Sequence, residues 1–152
     1  MRDGGIKMAK VLVVYHTQTG NTEKLALAVK EGLESCGIEV ILKKASEADL
    51  ADLLSSDGYC FGTPDYFSYM AGALKDFFDR TCYPSEGKIT NRAYVCFVSH
   101  GGGGKAVTSL EKIAERFKLK QIAKPLLVEG RPKKEDLEKA KELGKKLAKA
   151  II

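Results

Sequence analysis

A polar loop rich in hydroxyl and amide groups follows the first apolar run of the chain. Residues 11–15 read V-L-V-V-Y and residues 17–22 read T-Q-T-G-N-T, after which a helical pattern begins near Glu23. A short, Val-rich run of this kind is typical of a strand buried on both faces. The loop has no Lys or Arg, but the N–H groups and the dipole at a helix N-terminus favour an anion. The pattern therefore predicts a phosphate site made of neutral donors.

The candidate phosphate residues are those of the loop and the histidine before it, where Gly20 permits a tight turn or a close backbone approach. Protonated His16 would add a positive charge beside the site. Two nucleotide-binding motifs are excluded, because the loop has neither the G-x-x-x-x-G-K-[ST] nor the G-x-G-x-x-G spacing. An ordinary capped turn rich in Thr and Asn is the alternative interpretation of the spacing alone. The candidates are His16, Thr17, Gln18, Thr19, Gly20, Asn21 and Thr22.

Strand and helix patterns alternate five times along the chain. The predicted strands lie near residues 11–15, 39–42, 59–61, 93–98 and 125–129, and the predicted helices near residues 22–36, 46–54, 70–81, 107–117 and 137–151. Gly37 is placed to end the first helix, Ser46 to cap the second and Tyr83-Pro84 to end the third. Short connections between alternating elements predict one parallel sheet with helices on both faces. We expect residues 9–152 to form a single domain after a flexible extension over residues 1–8.

Two later strands also end in unusual loops. The third is followed by G-T-P and then D-Y-F-S-Y, and the fourth by S-H-G-G-G-G. In open parallel sheets, ligands bind beyond the carboxyl ends of the strands, where the strand order reverses. In the order 2-1-3-4-5, strands one and three flank that point and strand four lies beside strand three. The three loops are therefore expected to meet at one edge of the sheet.

The composition narrows the possible partners and surroundings. The 152 residues are 44% hydrophobic and 30% charged, and no apolar run approaches the roughly 20 residues of a membrane span, so we expect no membrane insertion. The net charge is +5, but the lysines between Lys133 and Lys149 alternate with Glu and lack interleaved aromatics, which favours a solvated helix over nucleic-acid binding. The four cysteines form no C-x-x-C pair and predict reduced thiols in a cytoplasmic protein.

Two motifs carry a resemblance to a known family. T-x-T-G-N-T after a Val-rich first strand resembles the FMN phosphate loop of the flavodoxin family. The segment F-G-T-P, followed by M-A-G-A-L-K-D-F-F-D-R-T, resembles the tryptophan-repressor-binding-protein type of NAD(P)H:quinone oxidoreductases. The resemblance implies a flavodoxin-like three-layer α/β fold, with a five-stranded parallel sheet in the order 2-1-3-4-5, and non-covalent FMN.

The resemblance also implies contacts between the flavin ring and the later two loops. Tyr66 and Phe67 are expected to touch the ring, and His100 to bond its edge or donate a proton during reduction. Tyr66 and Tyr69 depart from the oxidoreductase pattern, which usually has Arg and Asn there. The implied contacts are Thr63, Pro64, Asp65, Tyr66, Phe67, Ser99, His100, Gly101, Gly102, Gly103 and Gly104.

Three functions are compatible with these residues. The first is an NAD(P)H-dependent FMN oxidoreductase that reduces a quinone or another small acceptor. It is favoured by the glycines at residues 101–104, here called the glycine loop, which leave one face of the flavin ring open. The second is a protein-to-protein electron carrier of the flavodoxin kind, and the third a flavin-binding sensor. A response-regulator receiver is disfavoured, because Tyr15-His16-Thr17 stand where it needs acidic residues. The quinone oxidoreductases that the chain resembles usually carry extra segments in the later loops, often used for tetramer formation. Because this chain has little room for such segments, the resemblance implies a monomer or a homodimer.

Overall fold

The computed structural model describes residues 8–152, so the predicted extension lies outside the described residues except for Met8, whose side chain is exposed. The strands are β1 (Lys10–Tyr15), β2 (Glu39–Lys44), β3 (Gly58–Pro64), β4 (Ala93–His100), β5 (Lys120–Gln121) and β6 (Leu126–Glu129). The helices are α1 (Asn21–Glu34), α2 (Leu50–Ser55), α3 (Gly72–Ser85), α4 (Ala106–Arg116) and α5 (Lys134–Ile151).

The strands form one parallel sheet in the order β2-β1-β3-β4-β5, and β6 also pairs with β4. This confirms the predicted order 2-1-3-4-5. The central strands β1, β3 and β4 are buried along nearly their whole length, as their continuous apolar sequences predict.

The fifth position of the sheet differs from the prediction of one strand, because two short segments occupy it. β5 pairs with Ala93 and Tyr94 of β4, and β6 pairs with β4 from Phe97 onward. The sequence pattern predicts β6 but misses β5, which is polar and exposed at both residues. Pro125 lies between the segments and has no N–H to donate to a ladder.

Two helical layers cover the sheet. α1 and α5 pack on one core cluster, which includes Val11, Val13 and Val95, and α2, α3 and α4 belong with a second, which includes Leu12, Phe61 and Phe78. At the crossing of α1 and α5, a Cβ on Gly144 would lie 2.4 Å from the carbonyl oxygen of Val29. Glycine at this position therefore lets the helix backbones approach closely.

Two helix boundaries differ from their predictions, and one agrees. Asp49, rather than Ser46, caps α2, because its carboxylate accepts from the Asp52 N–H while the Asp52 carboxylate accepts from the Asp49 N–H, which is a capping box. α3 does not end at Tyr83-Pro84 but contains Pro84 and reaches Ser85. Gly37 has φ +79° after α1, which confirms its left-handed conformation.

Within the described part of the chain, helical membrane spans, metal-binding clusters and disulfides are absent. Its helices are all too short or too polar to cross a bilayer. Residues 8–152 hold no group of three or more His, Cys, Asp and Glu side chains suited to a metal ion. The four cysteines are free, and burial raises the pKa of the Cys60 and Cys96 thiols, that of Cys96 to about 12.

Candidate functional site

The loops after β1, β3 and β4 meet at the carboxyl edge of the sheet, as the strand order requires. The Asp65 N–H donates to the Ser99 carbonyl at 2.8 Å and thereby joins the loop after β3 to β4. The Tyr66 hydroxyl donates to Gln18 Oε1 at 2.8 Å and joins the same loop to the loop after β1. We name residues 16–22 the anchor loop, and residues 63–69 together with 99–104 the ring loops.

The anchor loop is a tight turn that enters α1. Gly20 has φ +97°, its N–H donates to Thr17 Oγ1 at 2.9 Å, and its carbonyl accepts from the Lys24 N–H. Within residues 8–152, the N–H groups of residues 17–19 and 21–22 donate to no protein acceptor. Thr17 Oγ1 acts as an acceptor, so its own proton stays free to donate. The loop therefore presents a set of unpaired donors at a helix N-terminus, where an anion is favoured.

Thr22 links the anchor loop to β4 from inside. Its Oγ1 lies 2.6 Å from Ser99 Oγ, and both residues are buried. One hydroxyl donates to the other, so the accepting hydroxyl keeps its own proton for a further bond. Thr22 and Ser99 were both predicted to contact a cofactor, and the structure shows that their hydroxyls first contact each other.

Sequence reasoning missed a second contact that closes this loop. The Tyr15 hydroxyl at the end of β1 donates to Glu23 Oε2 at 2.8 Å in the first turn of α1. Burial, followed by the hydrogen bond to Glu23, raises the pKa of Tyr15 to about 12. The signal in the sequence was a Tyr at the strand end with a Glu eight residues later. This contact holds the strand end against the helix that follows the loop.

The ring loop after β3 is a tight hairpin with an unusual backbone. Tyr66 and Tyr69 form an isolated antiparallel bridge, with N–H to carbonyl bonds of 2.9 and 3.1 Å in the two directions. The two residues between them, Phe67 and Ser68, have φ of +57° and +64°. Positive φ is costly for residues with a Cβ, so the turn is strained. The Phe67 side chain is fully exposed.

Two predicted residues of this loop, Thr63 and Tyr66, have defined partners. Thr63 is buried, and its hydroxyl donates to the Pro64 carbonyl and accepts from the Ala71 N–H, so it braces the loop from inside. Tyr66 also packs edge to face against His16, with 6.0 Å between the ring centroids. Burial raises the pKa of Tyr66. The hydroxyl of Tyr66 is therefore a neutral donor across a wide pH range.

Four of the six residues in the ring loop after β4 are glycines. An added Cβ at Gly101 or Gly102 would meet nothing within 4 Å, whereas Gly104 lies against Leu127 and His100. The Gly102 N–H donates to His100 Nδ1 at 3.0 Å, so neutral His100 carries its proton on Nε2. Among the described residues, the N–H groups of Gly101 and Gly103 have no protein acceptor. The loop therefore leaves open space lined by backbone donors.

Comparison with known sequences supports the resemblance drawn from the two motifs. Residues 13–144 match the sequence profile of the family described as flavodoxin. The chain belongs to the flavodoxin family. A flavodoxin of Aquifex aeolicus (strain VF5) is 34% identical, over 95% of the chain and 88% of that protein. An NAD(P)H dehydrogenase (quinone) of Archaeoglobus fulgidus is 30% identical, over 93% of the chain and 96% of that protein. Family membership supports a redox role, and the two names differ on which role it is.

Solved structures agree on the architecture. A flavodoxin from the domain Archaea superposes with a TM-score of 0.87 over 93% of the chain and 98% of that protein, at 24% identity. At this identity the likeness establishes the fold alone. The flavodoxin fold of the chain therefore follows from both its strand order and its structural neighbours.

Proposed function

We propose that the chain binds FMN non-covalently, with the phosphate in the anchor loop and the flavin between the ring loops. The observation that carries the proposal is the row of unpaired N–H groups at residues 17–19 and 21–22 at the start of α1. The helix dipole adds a partial positive charge at the same place, so a phosphate dianion is held without a Lys or Arg. The free hydroxyl proton of Thr17 and the side chain of Asn21 complete the donors.

The ring loops fit the other end of the same ligand. Phe67 offers an exposed aromatic face, and a flavin stacked on it would be covered on one side only. The N–H groups of Gly101 and Gly103 can donate to carbonyl oxygens at the edge of a ring. The opposite face stays open because the glycine loop has no side chain to cover it.

We further propose that the protein is an NAD(P)H-dependent oxidoreductase whose acceptor is a quinone or another small molecule. Bound FMN would supply the hydride chemistry, which belongs to the cofactor. The protein orients the ring through Phe67 and the glycine N–H groups. Protonated His100 would deliver its Nε2 proton to the ring edge and return to the neutral imidazole whose Nδ1 accepts from the Gly102 N–H. The likeness to the Archaeoglobus dehydrogenase supports this role.

The second candidate is an electron carrier that serves another protein. Its support is the 34% identity with the Aquifex flavodoxin, over 95% of the chain. Tyr66 and Tyr69 also stand where the quinone oxidoreductases usually have Arg and Asn, which weakens the enzyme proposal. The two candidates share the cofactor and differ in what reduces it.

Titration of purified protein with FMN tests the cofactor. Binding is expected to quench the flavin fluorescence and to give a yellow protein after gel filtration. Unchanged fluorescence up to millimolar protein would contradict FMN binding, and with it both candidates.

Anaerobic mixing of the FMN-loaded protein with NADH or NADPH separates the two candidates. The enzyme is expected to lose its flavin absorbance within seconds of mixing with one of the nucleotides. A flavin that neither nucleotide reduces, while dithionite titration accumulates a one-electron state, would favour the carrier. The rate of NAD(P)H oxidation with and without menadione then tests whether a quinone serves as the electron acceptor.

The remaining expectations concern oligomeric state and location. The four free cysteines support a cytoplasmic location, where thiols stay reduced. Sedimentation of the FMN-loaded protein is expected to give the mass of a monomer or a homodimer, and a tetramer would contradict this expectation.

A further inference from the structure

Asp65 is the residue that ties the two ring loops together. Its Oδ1 accepts from the Ser68 N–H at 2.8 Å within the hairpin after β3. Its Oδ2 accepts from the Ala106 N–H at 3.1 Å, at the first residue of α4 and two residues after Gly104. An added Cβ on Gly103 would lie 3.8 Å from the same Oδ2. One carboxylate therefore bonds the hairpin after β3 and the start of α4, the helix that follows the glycines of the other ring loop.

A backbone hydrogen bond of Asp65 determines the position of its carboxylate. The Asp65 N–H donates to the Ser99 carbonyl, two residues before the glycine loop. The side chain and the backbone of a single residue thus reach β4, α4 and the hairpin turn. The first N–H of a helix has no partner within the helix, and a carboxylate there is also favoured by the helix dipole.

The Oδ1 contact falls on the strained part of the hairpin. Ser68 has φ +64° and follows Phe67 with φ +57°, so two successive residues with a Cβ occupy the left-handed region. Such a conformation persists only where its surroundings hold it. The hydrogen bond from the Ser68 N–H to the Asp65 carboxylate stabilises this turn. The turn also sets the position of the exposed Phe67 ring.

We propose that Asp65 is a positioning residue that holds the Phe67–Ser68 turn and the glycine loop in the one arrangement that accepts a flavin ring. The proposal rests on the proposed FMN function. Both carboxylate oxygens already accept backbone N–H groups, so Asp65 acts through the loops rather than as a donor to the ligand. Without the Asp65 carboxylate, both loops would have to become ordered when the ligand binds. The conformational entropy lost in that ordering would weaken the affinity.

The first test compares Asp65→Ala, Asp65→Asn and the control Asp76→Ala, which removes an exposed acid of α3. Asp65→Ala is expected to weaken FMN and riboflavin alike, by about tenfold to a hundredfold, because charge-assisted hydrogen bonds to two loops are lost. Asp65→Asn keeps one acceptor oxygen and is expected to fall between Asp65→Ala and wild type. Asp76→Ala is expected to bind both flavins as wild type does.

The second test asks whether relief of backbone strain replaces the carboxylate. Glycine adopts positive φ freely, so Ser68→Gly removes part of the cost that Asp65 offsets. Combined with Asp65→Ala, it is expected to recover at least about threefold in the affinity for both flavins. An equal affinity of Asp65→Ala and the double variant would overturn the proposed action on the turn.

The third test keeps the inference separate from the proposed function. In FMN-free protein, Asp65→Ala is expected to accelerate amide hydrogen exchange at Ser68 and Ala106 while leaving α1 unchanged. Unchanged exchange at both amides overturns the inference, whether or not the protein binds a flavin. A wild-type protein that binds neither FMN nor riboflavin refutes the proposed function, and wild-type affinity in Asp65→Ala overturns the inference alone.

Discussion

The anchor loop and the ring loops differ in how their backbone is held. In the anchor loop the one residue with positive φ is Gly20, and the turn is closed by a local bond to Thr17. In the ring loop after β3, Phe67 and Ser68 carry positive φ, and the turn depends on a carboxylate that also reaches α4. The turn of the anchor loop is therefore unstrained, whereas the turn of the ring loop is strained and its carboxylate also bonds a distant segment.

This difference suggests that the anchor loop and the ring loops have different roles in binding. A phosphate needs a fixed set of donors, which a helix N-terminus supplies without rearrangement. The ring needs instead the arrangement of the two ring loops that we propose Asp65 holds. We therefore expect changes at the anchor to affect phosphate-bearing ligands only, and changes at the ring end to affect FMN and riboflavin alike.

Thr19→Asp is expected to give the largest effect. The carboxylate would face the phosphate, so FMN should bind at least about a hundredfold more weakly while riboflavin keeps its affinity. Fluorescence titration with both flavins measures the two constants, and Thr19→Asn is the neutral control. An equal loss for both flavins would show that the anchor does not hold the phosphate.

Thr22→Val tests the buried link between the two ends. It leaves the Ser99 hydroxyl without its partner in a buried place, which is expected to lower the free energy of unfolding by about 1–3 kcal/mol. FMN affinity should fall by about tenfold, and Ser99→Ala in the same background should restore part of the stability, because no unpaired hydroxyl then remains. Urea unfolding measures the stability. Wild-type stability in Thr22→Val would mean that the hydroxyl pair does not connect the loops.

His100→Ala addresses the chemistry at the ring end. Removing a proton donor near the ring edge is expected to slow turnover with NAD(P)H and a quinone by about tenfold when the protein is saturated with FMN. Steady-state rates across pH 6–9 measure the effect, with His16→Ala as the comparison at the anchor. Turnover equal to that of the wild type at every pH would exclude His100 as the donor.

Tyr66→Phe is expected to give the smallest effect. It removes only the hydroxyl bond to Gln18, which is exposed, so both flavins should lose about threefold in affinity. A double-mutant cycle with Gln18→Ala isolates this contact. A loss confined to FMN would place Tyr66 at the phosphate rather than between the two ends.

The sequence was sufficient for the parts of the protein that are locally determined. Continuous apolar strands predicted the parallel sheet, and the resemblance to the flavodoxin family predicted its strand order. The segment T-Q-T-G-N-T predicted where the anchor loop lies, whereas its binding of a phosphate stays a prediction. The β5 segment was missed because two polar residues at a sheet edge leave no hydrophobic pattern. Asp49 was missed as a cap because Ser46, nearer the strand, is an equally good capping type.

The contacts between the loops could not be predicted from the sequence, for a different reason. Asp65 and Ala106 are 41 residues apart, and Thr22 and Ser99 are 77 apart. Motif spacing carries no information on such pairs, which depend on how the strands are placed side by side. The sequence predicted ligand contacts for Asp65, Thr22 and Ser99, and these stay predictions. The structure shows that Ser99 bonds both Thr22 and Asp65 and so connects the loops.

The most direct test of the two-ended site is an amide NMR titration of FMN-free protein with inorganic phosphate, riboflavin and FMN in turn. The account predicts that phosphate shifts the amides of residues 17–23, that riboflavin shifts those of residues 65–69 and 101–106, and that FMN shifts both sets. FMN that moves neither set, or that moves amides along α3 and α4 away from the loops instead, would contradict the account.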